Sequence, residues 1–147
     1  MKLRKYIIAA ALVVAATLPA TAQSSKDAVE RVYMFGLAAS FNDTIVHFTE
    51  IQPIDSAWLS KKNKFLMGRE QYSNQLRDFL AQQQQMPART CIVFYDRKLG
   101  RLQKKYLKMK KLYTTGKKGE KTRNDIRTLM AGEFSFKNVN MNPTSTE

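Results

Sequence analysis

Hydrophobic residues cluster early in this 147-residue chain in two short runs whose composition favours β-strands. Residues 31–41 and residues 44–51 are rich in aromatic and β-branched side chains, and the turn-forming pair Asn42-Asp43 separates them. Runs of this length joined by a turn predict two adjacent strands. Pro53 predicts the end of the second strand, since proline lacks the N–H group that a strand ladder needs.

Helical spacing replaces the strand pattern in two later segments. Residues 69–84 predict an amphipathic helix, because their apolar positions recur at steps of three and four. These positions are Tyr72, Leu76, Phe79 and Leu80. Residues 97–113 predict a second helix on the same grounds. Its apolar stripe consists of Leu99, Leu102, Tyr106, Met109 and Tyr113.

Three shorter segments complete the predicted elements. Asp55 and Ser56 predict a cap for a short helical turn that carries Trp58 and Leu59. The apolar residues 90–95 predict a central strand, which Asp96 ends. Phe134 and Phe136 alternate with polar residues and predict a half-exposed last strand, whereas residues 126–130 fit either kind of element.

The order strand, strand, helix, strand, helix, strand predicts an α/β or α+β fold with a mixed four-stranded sheet. Helices that connect strands of one sheet through right-handed crossovers tend to pack on the same face. We therefore expect a two-layer sandwich with both helices on one face of the sheet.

The first 22 residues have the composition of a cleavable signal peptide. A basic head precedes an apolar run at residues 7–16, which is shorter than the roughly 20 apolar residues that a membrane span needs. The small residues Ala20 and Ala22 predict cleavage before Gln23. We therefore expect an exported protein, periplasmic or secreted, with no transmembrane segment in the mature chain. The predicted parts are a signal peptide at 1–22, one globular domain at 23–139 and a polar tail at 140–147.

Positive charge is concentrated in one segment. The chain has 25 Lys and Arg residues against 12 Asp and Glu residues, and residues 97–123 alone have a net charge of +11. On the second predicted helix the basic residues lie opposite the apolar stripe, so they form either a solvated face or a surface for an anion. Our hypothesis is that they bind an anionic envelope component or an acidic partner protein. The predicted binding residues are Lys98, Arg101, Lys104, Lys105, Lys108 and Lys111.

Residues that support catalysis or bind metals are scarce. His47 is the only histidine, which excludes a His-rich zinc site, and Cys91 is the only cysteine, which excludes an internal disulfide. We expect Cys91 to be a buried, unreactive side chain, since cysteine is among the most buried residue types. An intermolecular disulfide and a catalytic thiolate remain the alternatives.

Sequence motifs of known enzyme classes are also missing. The chain contains no Gly-x-Ser-x-Gly, His-Glu-x-x-His or Cys-x-x-Cys pattern. Residues 116–122 lack the spacing and the strand-to-helix context of a phosphate-binding loop, so we expect no nucleotide and no other cofactor. We therefore expect a non-enzymatic protein, and we do not expect an exported chain to bind nucleic acid. Two alternatives stay open: a small enzyme with a site near Cys91 and His47, and an envelope adaptor or subunit that uses an exposed strand edge.

Short motifs spread over most of the predicted mature chain resemble a group of small secreted and periplasmic proteins of Bacteroidota. These motifs are Tyr33-Met34-Phe35-Gly36, Ser40-Phe41-Asn42-Asp43, Phe48-Thr49, Asp55-Ser56-Ala57-Trp58, Leu76-Arg77-Asp78-Phe79, Arg89-Thr90-Cys91 and Lys104-Lys105-Tyr106. A glutamine directly after the predicted cleavage point also fits that group. We know of no activity assigned to the group, so the resemblance implies a Gram-negative envelope location and adds no site residue.

Overall fold

The computed structural model describes residues 27–142, where five strands and two helices follow one another. The predicted signal peptide and its cleavage residues Ala20, Ala22 and Gln23 lie outside the described residues. The elements are β1 (Asp27–Ala39), β2 (Ile45–Thr49), β3 (Gln52–Ser60), α1 (Arg69–Gln83), β4 (Thr90–Asp96), α2 (Leu99–Thr115) and β5 (Asp125–Leu129). Both helices lie within two residues of their predicted bounds, which confirms the helical spacing.

β1 organises the sheet because it pairs along both of its edges. Tyr33 lies opposite Pro53 of β3 on one side and opposite Asp96 of β4 on the other. β2 continues the edge occupied by β3, and all three neighbours run antiparallel to β1. β5 then pairs with β2 in parallel. The mixed sheet therefore begins with β4 at one edge, followed by β1. β2 and β3 lie one after the other along the far side of β1, and β5 lies beyond β2. The sheet has one strand more than predicted.

The two helices cover opposite faces of this sheet. Val32, Met34 and Ala38 of β1 pack in one cluster with α1, whereas Phe35 and Leu37 pack in a second cluster with α2. The layers are therefore helix, sheet and helix. The expectation of a two-layer sandwich with both helices on one face is wrong.

The direction of the two crossovers explains this arrangement. The connection through α1 leads from β3 across β1 to β4, and the connection through α2 leads back from β4 across the sheet to β5. Two right-handed crossovers that run in opposite directions place their helices on opposite faces. β1 requires a helix on each of its faces, because residues 32–38 are all apolar, aromatic or glycine.

Two predicted features between β2 and α1 also differ from the structure. Trp58 and Leu59 belong to β3 and not to a helical turn, because β1 extends far enough to place Val29 opposite Trp58. Pro53 does not end a strand but lies near the start of β3. The ambiguous residues near 126–130 form β5, since β2 offers them a free edge.

Phe134 and Phe136 are buried between exposed neighbours, as the predicted alternation requires, but their segment is not a strand. Gln52 donates from Nε2 to the Phe134 carbonyl at 2.8 Å and accepts at Oε1 from the Phe136 N–H at 2.9 Å. Gln75 makes the same pair of bonds with the backbone of Lys137. Two side-chain amides therefore take the place of a strand ladder. The alternation of apolar and polar residues in the sequence predicts the burial of both rings. It cannot reveal that the amides of Gln52 and Gln75 bond to this segment.

Replacing Gly36 with a larger residue tests how closely α1 packs on β1. A Cβ atom at Gly36 would lie 2.6 Å from Cδ2 of Leu76 and 3.1 Å from Cζ of Phe136, whereas one at Gly100 would meet nothing within 4 Å. We expect Gly36→Ala to lower the free energy of unfolding by about 1–3 kcal/mol through overpacking. The control Gly100→Ala should leave it unchanged or raise it by up to about 1 kcal/mol. Urea unfolding followed by circular dichroism measures both, and equal stabilities would contradict the packing.

Candidate functional site

α2 presents its apolar stripe to the sheet. Leu102 is fully buried, and the Tyr106 ring lies edge-on to Phe35 and Phe48 with ring centroids 4.9 and 5.8 Å away. Tyr113 packs edge-on against Phe48 about two turns further along the helix. This inner face is therefore part of the core and is closed to external partners.

The outer face of α2 is basic and exposed. Lys104, Lys108 and Lys111 stand at positions i, i+4 and i+7, which brings them onto one side of the helix. We call these three lysines the basic face. Leu107 lies between them with 66% of its surface exposed. Within residues 27–142 no carboxylate forms an ion pair with any of the three, so their charge is open to an external anion.

Two of the other three predicted binding residues have side-chain partners within the protein. Arg101 forms an ion pair with Asp96 at 3.0 Å. The ammonium group of Lys105 lies 4.9 Å above the ring of Phe94. Lys98 is the N-cap residue of α2, and its N–H donates to the Asp96 carboxylate at 2.7 Å. Arg101 and Lys105 therefore contribute less free charge than the basic face, whereas Lys98 is bonded only through its backbone N–H.

The loop that follows α2 is also basic and is fixed to the helix. Thr122 donates from its hydroxyl to the carbonyls of Tyr113 and Thr114, and Asn124 donates to the Tyr113 carbonyl at 2.8 Å. These bonds satisfy carbonyls at the C-terminal end of α2, where the helix dipole favours nearby cations. We call residues 116–123 the basic loop. Its cations are Lys117, Lys118, Lys121 and Arg123.

An apolar groove of about 340 Å³ opens beside the basic loop, at the end of the sheet that α2 leaves uncovered. This volume lies at the lower end of the range typical of small-molecule sites. We call it the terminal groove. Its apolar lining comes from Leu37, Ala39, Val46, Ile92 and Tyr113. Phe41 at the rim is completely exposed, and Ile92 retains 38% exposure.

Arg89 fixes the position of the turn that carries Phe41. Its guanidinium is almost fully buried, and it donates to the Asp43 carboxylate at 2.6 Å and to the Ile45 carbonyl at 2.7 Å. The bond from Arg89 and a second one from the Ile45 N–H hold the pKa of Asp43 below its usual value. The segment before β4 is thereby fastened to the turn between β1 and β2.

His47 and Cys91 lie on either side of Ala38, on the same face of the sheet. Two strand spacings separate them, about 10 Å between Cα atoms. Cys91 is half-buried, less than expected, and burial raises the pKa of its thiol to about 11. Burial is the main cause that lowers the pKa of His47, and the nearby charge of Arg89 lowers it further. Both groups are therefore neutral at pH 7, and the pair lacks the thiolate that nucleophilic catalysis needs.

The described residues contain no metal-binding cluster. They hold no group of three or more His, Cys, Asp and Glu side chains that could bind a metal ion. Neither of the two helices is long and apolar enough to cross a bilayer. Comparison of the chain with protein-family models, curated proteins and solved structures gives no match. The export signal and the resemblance to Bacteroidota proteins remain predictions from the sequence.

Two features of this end of the molecule escape prediction from the sequence: the terminal groove and the burial of Arg89. Phe41 carries a signal for the groove, because a large aromatic residue directly before the Asn42-Asp43 turn is poorly placed to reach a core. Arg89 carries none, since nothing near it in the sequence distinguishes it from a surface arginine.

The lowered pKa of His47 predicts a loss of stability on acidification. The unfolded chain takes up a proton near pH 6.5 and the folded protein resists it, so the free energy of unfolding should fall from pH 7.5 towards pH 5.5. The slope cannot exceed about 1.4 kcal/mol per pH unit, the value for one proton. His47→Phe should flatten the slope in urea titrations, because the chain has no other histidine. An unchanged slope would contradict a buried neutral histidine.

Cys91 should be slow to react in the folded protein. A pKa of about 11 leaves roughly one thiol in 1,000 ionised at pH 8, so iodoacetamide labelling followed by mass spectrometry should require urea. Cys91→Ala should lower the free energy of unfolding by about 1–2 kcal/mol, because it leaves a small cavity. Rapid labelling of the folded protein would support the catalytic thiolate instead.

Proposed function

We propose that this chain is an exported, non-enzymatic binding protein that uses α2 to hold an anionic lipid surface of the cell envelope. The observation that carries the proposal is the division of α2 into a buried apolar face and an exposed basic one. Because the sheet already occupies the apolar stripe, the basic face is the side of α2 that remains for a partner.

The basic face is suited to a surface more than to a single small anion. α2 has 17 residues and is therefore about 25 Å long, and its free lysines spread over two turns of that length. The basic loop continues the positive charge beyond the end of the helix. Lys or Arg residues near an anionic membrane each contribute about 1 kcal/mol of binding energy.

Leu107 favours a lipid surface over an acidic protein. It projects from the same side of α2 as Lys104, Lys108 and Lys111 and contributes nothing to the core. A leucine among lysines can enter the boundary between headgroups and acyl chains while the lysines contact phosphates. An acidic protein remains the alternative partner for the same three lysines.

The edge of β4 supports a second candidate function. Within the described chain β4 pairs only with β1, so one side of this seven-residue strand has no strand neighbour. An adaptor could add a strand of its partner there. Protein binding that survives charge reversal of the basic face would favour this candidate. The small-enzyme alternative has less support, because Cys91 and His47 are neutral and separated.

Charge reversal of the basic face tests the proposed function. We expect the parent protein to sediment with vesicles of phosphatidylglycerol and phosphatidylcholine at low salt, and to be released at 1 M salt, where the screening length is about 3 Å. Replacing Lys104, Lys108 and Lys111 with Glu should weaken binding on the order of 100-fold, since three attractive charges are lost. The inner stripe is untouched, so thermal unfolding should stay unchanged.

A matched control changes the net charge equally at positions away from α2. Lys61, Lys62 and Lys137 are all exposed, and their replacement with Glu should weaken vesicle binding only a few-fold. Equal losses in the two triple variants would show that net charge alone attracts the protein. A parent that ignores anionic vesicles would mean that the basic face is only a solvated surface.

A further inference from the structure

We infer that the terminal groove binds the acyl chain of a single-chain anionic lipid whose headgroup is held by the basic loop. The inference goes beyond the proposed function, because it assigns a ligand to the end of the molecule and not to the outer face of α2. It rests on the shape of the groove, the exposure of its apolar residues and the charge beside it.

The groove is apolar, open and formed by fixed elements. β1, β2, β4 and the last turns of α2 contribute Leu37, Val46, Ile92 and Tyr113 to its walls. α2 ends before it covers this part of the sheet, which leaves Ile92 partly exposed on the face where Phe94 is packed. An open apolar groove of about 340 Å³ between strands and a helix end is suited to a flexible hydrocarbon chain.

Phe41 adds apolar surface where a ligand would enter. Its side chain is completely exposed, although Arg89 and Asp43 hold the turn on which it stands. The turn is therefore fixed while the ring has no packing role. An acyl chain in the groove would give this ring a partner.

The basic loop adjoins the groove along the chain. Tyr113 and Asn124 both line the groove, and the basic loop is the chain between them. The loop contains four cations and one acidic residue, Glu120, and none of these cations forms an ion pair with the side chains that the structure describes. Asp43 also lines the groove, but its carboxylate is already bonded to Arg89 at 2.6 Å. The unpaired charge of the loop next to the groove is therefore positive, which favours a carboxylate or phosphate headgroup.

Charge argues against a second copy of this chain as the occupant, and position argues against the described ends of the chain. A second copy of this chain would bring two basic loops together if Phe41 of each copy entered the groove of the other. The ends of the described chain lie at the opposite end of the sheet, where Ser60 pairs with the first residue of β1 and Met141 packs beside Gly68. The described ends of the chain are therefore remote from the groove.

Titration calorimetry with n-alkyl carboxylates below their micelle concentrations tests the inference. We expect acetate not to bind, and the affinity to rise about fourfold for each methylene from hexanoate until the groove is full. Dodecanol, which has the chain without the charge, should bind at least tenfold more weakly than dodecanoate. Equal binding of the alcohol, or no dependence on chain length, would overturn the inference.

Paired variants locate the site. Lys117→Glu with Lys118→Glu should weaken dodecanoate binding roughly tenfold, since exposed ion pairs are individually weak. Lys61→Glu with Lys62→Glu, an equal charge change at the opposite end, should leave it unchanged. Equal effects of the two pairs would overturn the assignment of the headgroup to the basic loop.

Groove variants locate the acyl chain. Ala39→Phe should fill the groove and abolish binding, and Ile92→Asp should do so at a partly exposed position where folding is easier to preserve. Phe41→Ala should weaken binding several-fold, whereas Phe65→Ala, at an exposed phenylalanine near the other end, should not. Full dodecanoate binding by a folded groove variant would overturn the inference. A preference of the protein for acidic peptides over dodecanoate would also overturn the inference. A dimer of the parent protein that Phe41→Ala abolishes would overturn it too.

The basic-face variant separates this inference from the proposed function. With Lys104, Lys108 and Lys111 changed to Glu, the protein should lose vesicle binding and still bind dodecanoate within about twofold. Dodecanoate binding by a parent protein that ignores vesicles would defeat the proposed function and support the groove. Vesicle binding without dodecanoate binding would defeat the groove alone.

Discussion

Residues 32–38 of β1 carry no charged side chain, and their side chains alternate between two faces that must both be shielded from water. α1 shields one face with Tyr72, Leu76 and Leu80, and α2 shields the other with Leu102 and its aromatic neighbours. The edges of β1 are equally occupied, by β2 and β3 on one side and by β4 on the other. The position and rotation of both helices follow from this one strand.

The basic face is a consequence of that rotation. Burial of each large apolar side chain contributes about 1.5–3 kcal/mol, so the stripe of α2 determines which side points inward. Like charges at i and i+4, such as Lys104 and Lys108, destabilise a helix by only about 0.2–0.5 kcal/mol. The fold therefore tolerates an outward row of lysines without ion pairs. A bound anion would remove the repulsion that remains.

The terminal groove depends on the length of α2 relative to the sheet. α2 ends at Thr115, where Gly116 donates to the Leu112 carbonyl and the basic loop folds back through Thr122. The strands continue past this point, and their apolar residues remain open. One helix end thus creates both the slot and the charge beside it, which links the two proposed binding surfaces.

Local patterns in the sequence predict part of this architecture. Spacing alone locates both helices and identifies Lys104, Lys108 and Lys111 as outward residues, because a period of 3.6 separates the two sides of a helix. The direction in which each crossover traverses the sheet is a long-range property, so the opposite placement of the helices is not predictable from these patterns.

The remaining differences have the same origin in contacts between distant residues. The Phe134 segment depends on amides from Gln52 and Gln75, and the terminal groove depends on where a helix stops relative to strands far away in the chain. No local pattern encodes such contacts. Arg89 likewise becomes distinctive only through the carboxylate of Asp43.

Amide chemical-shift mapping against phosphatidylglycerol bicelles tests the central claim most directly, because it shows which surface of the folded protein meets an anionic lipid. We expect the largest shift changes in residues 104–111 and in the basic loop. We expect small changes in α1 and at residues 60–66, which lie at the other end of the sheet. Changes centred on α1 or on residues 60–66, with α2 unaffected, would contradict the central claim.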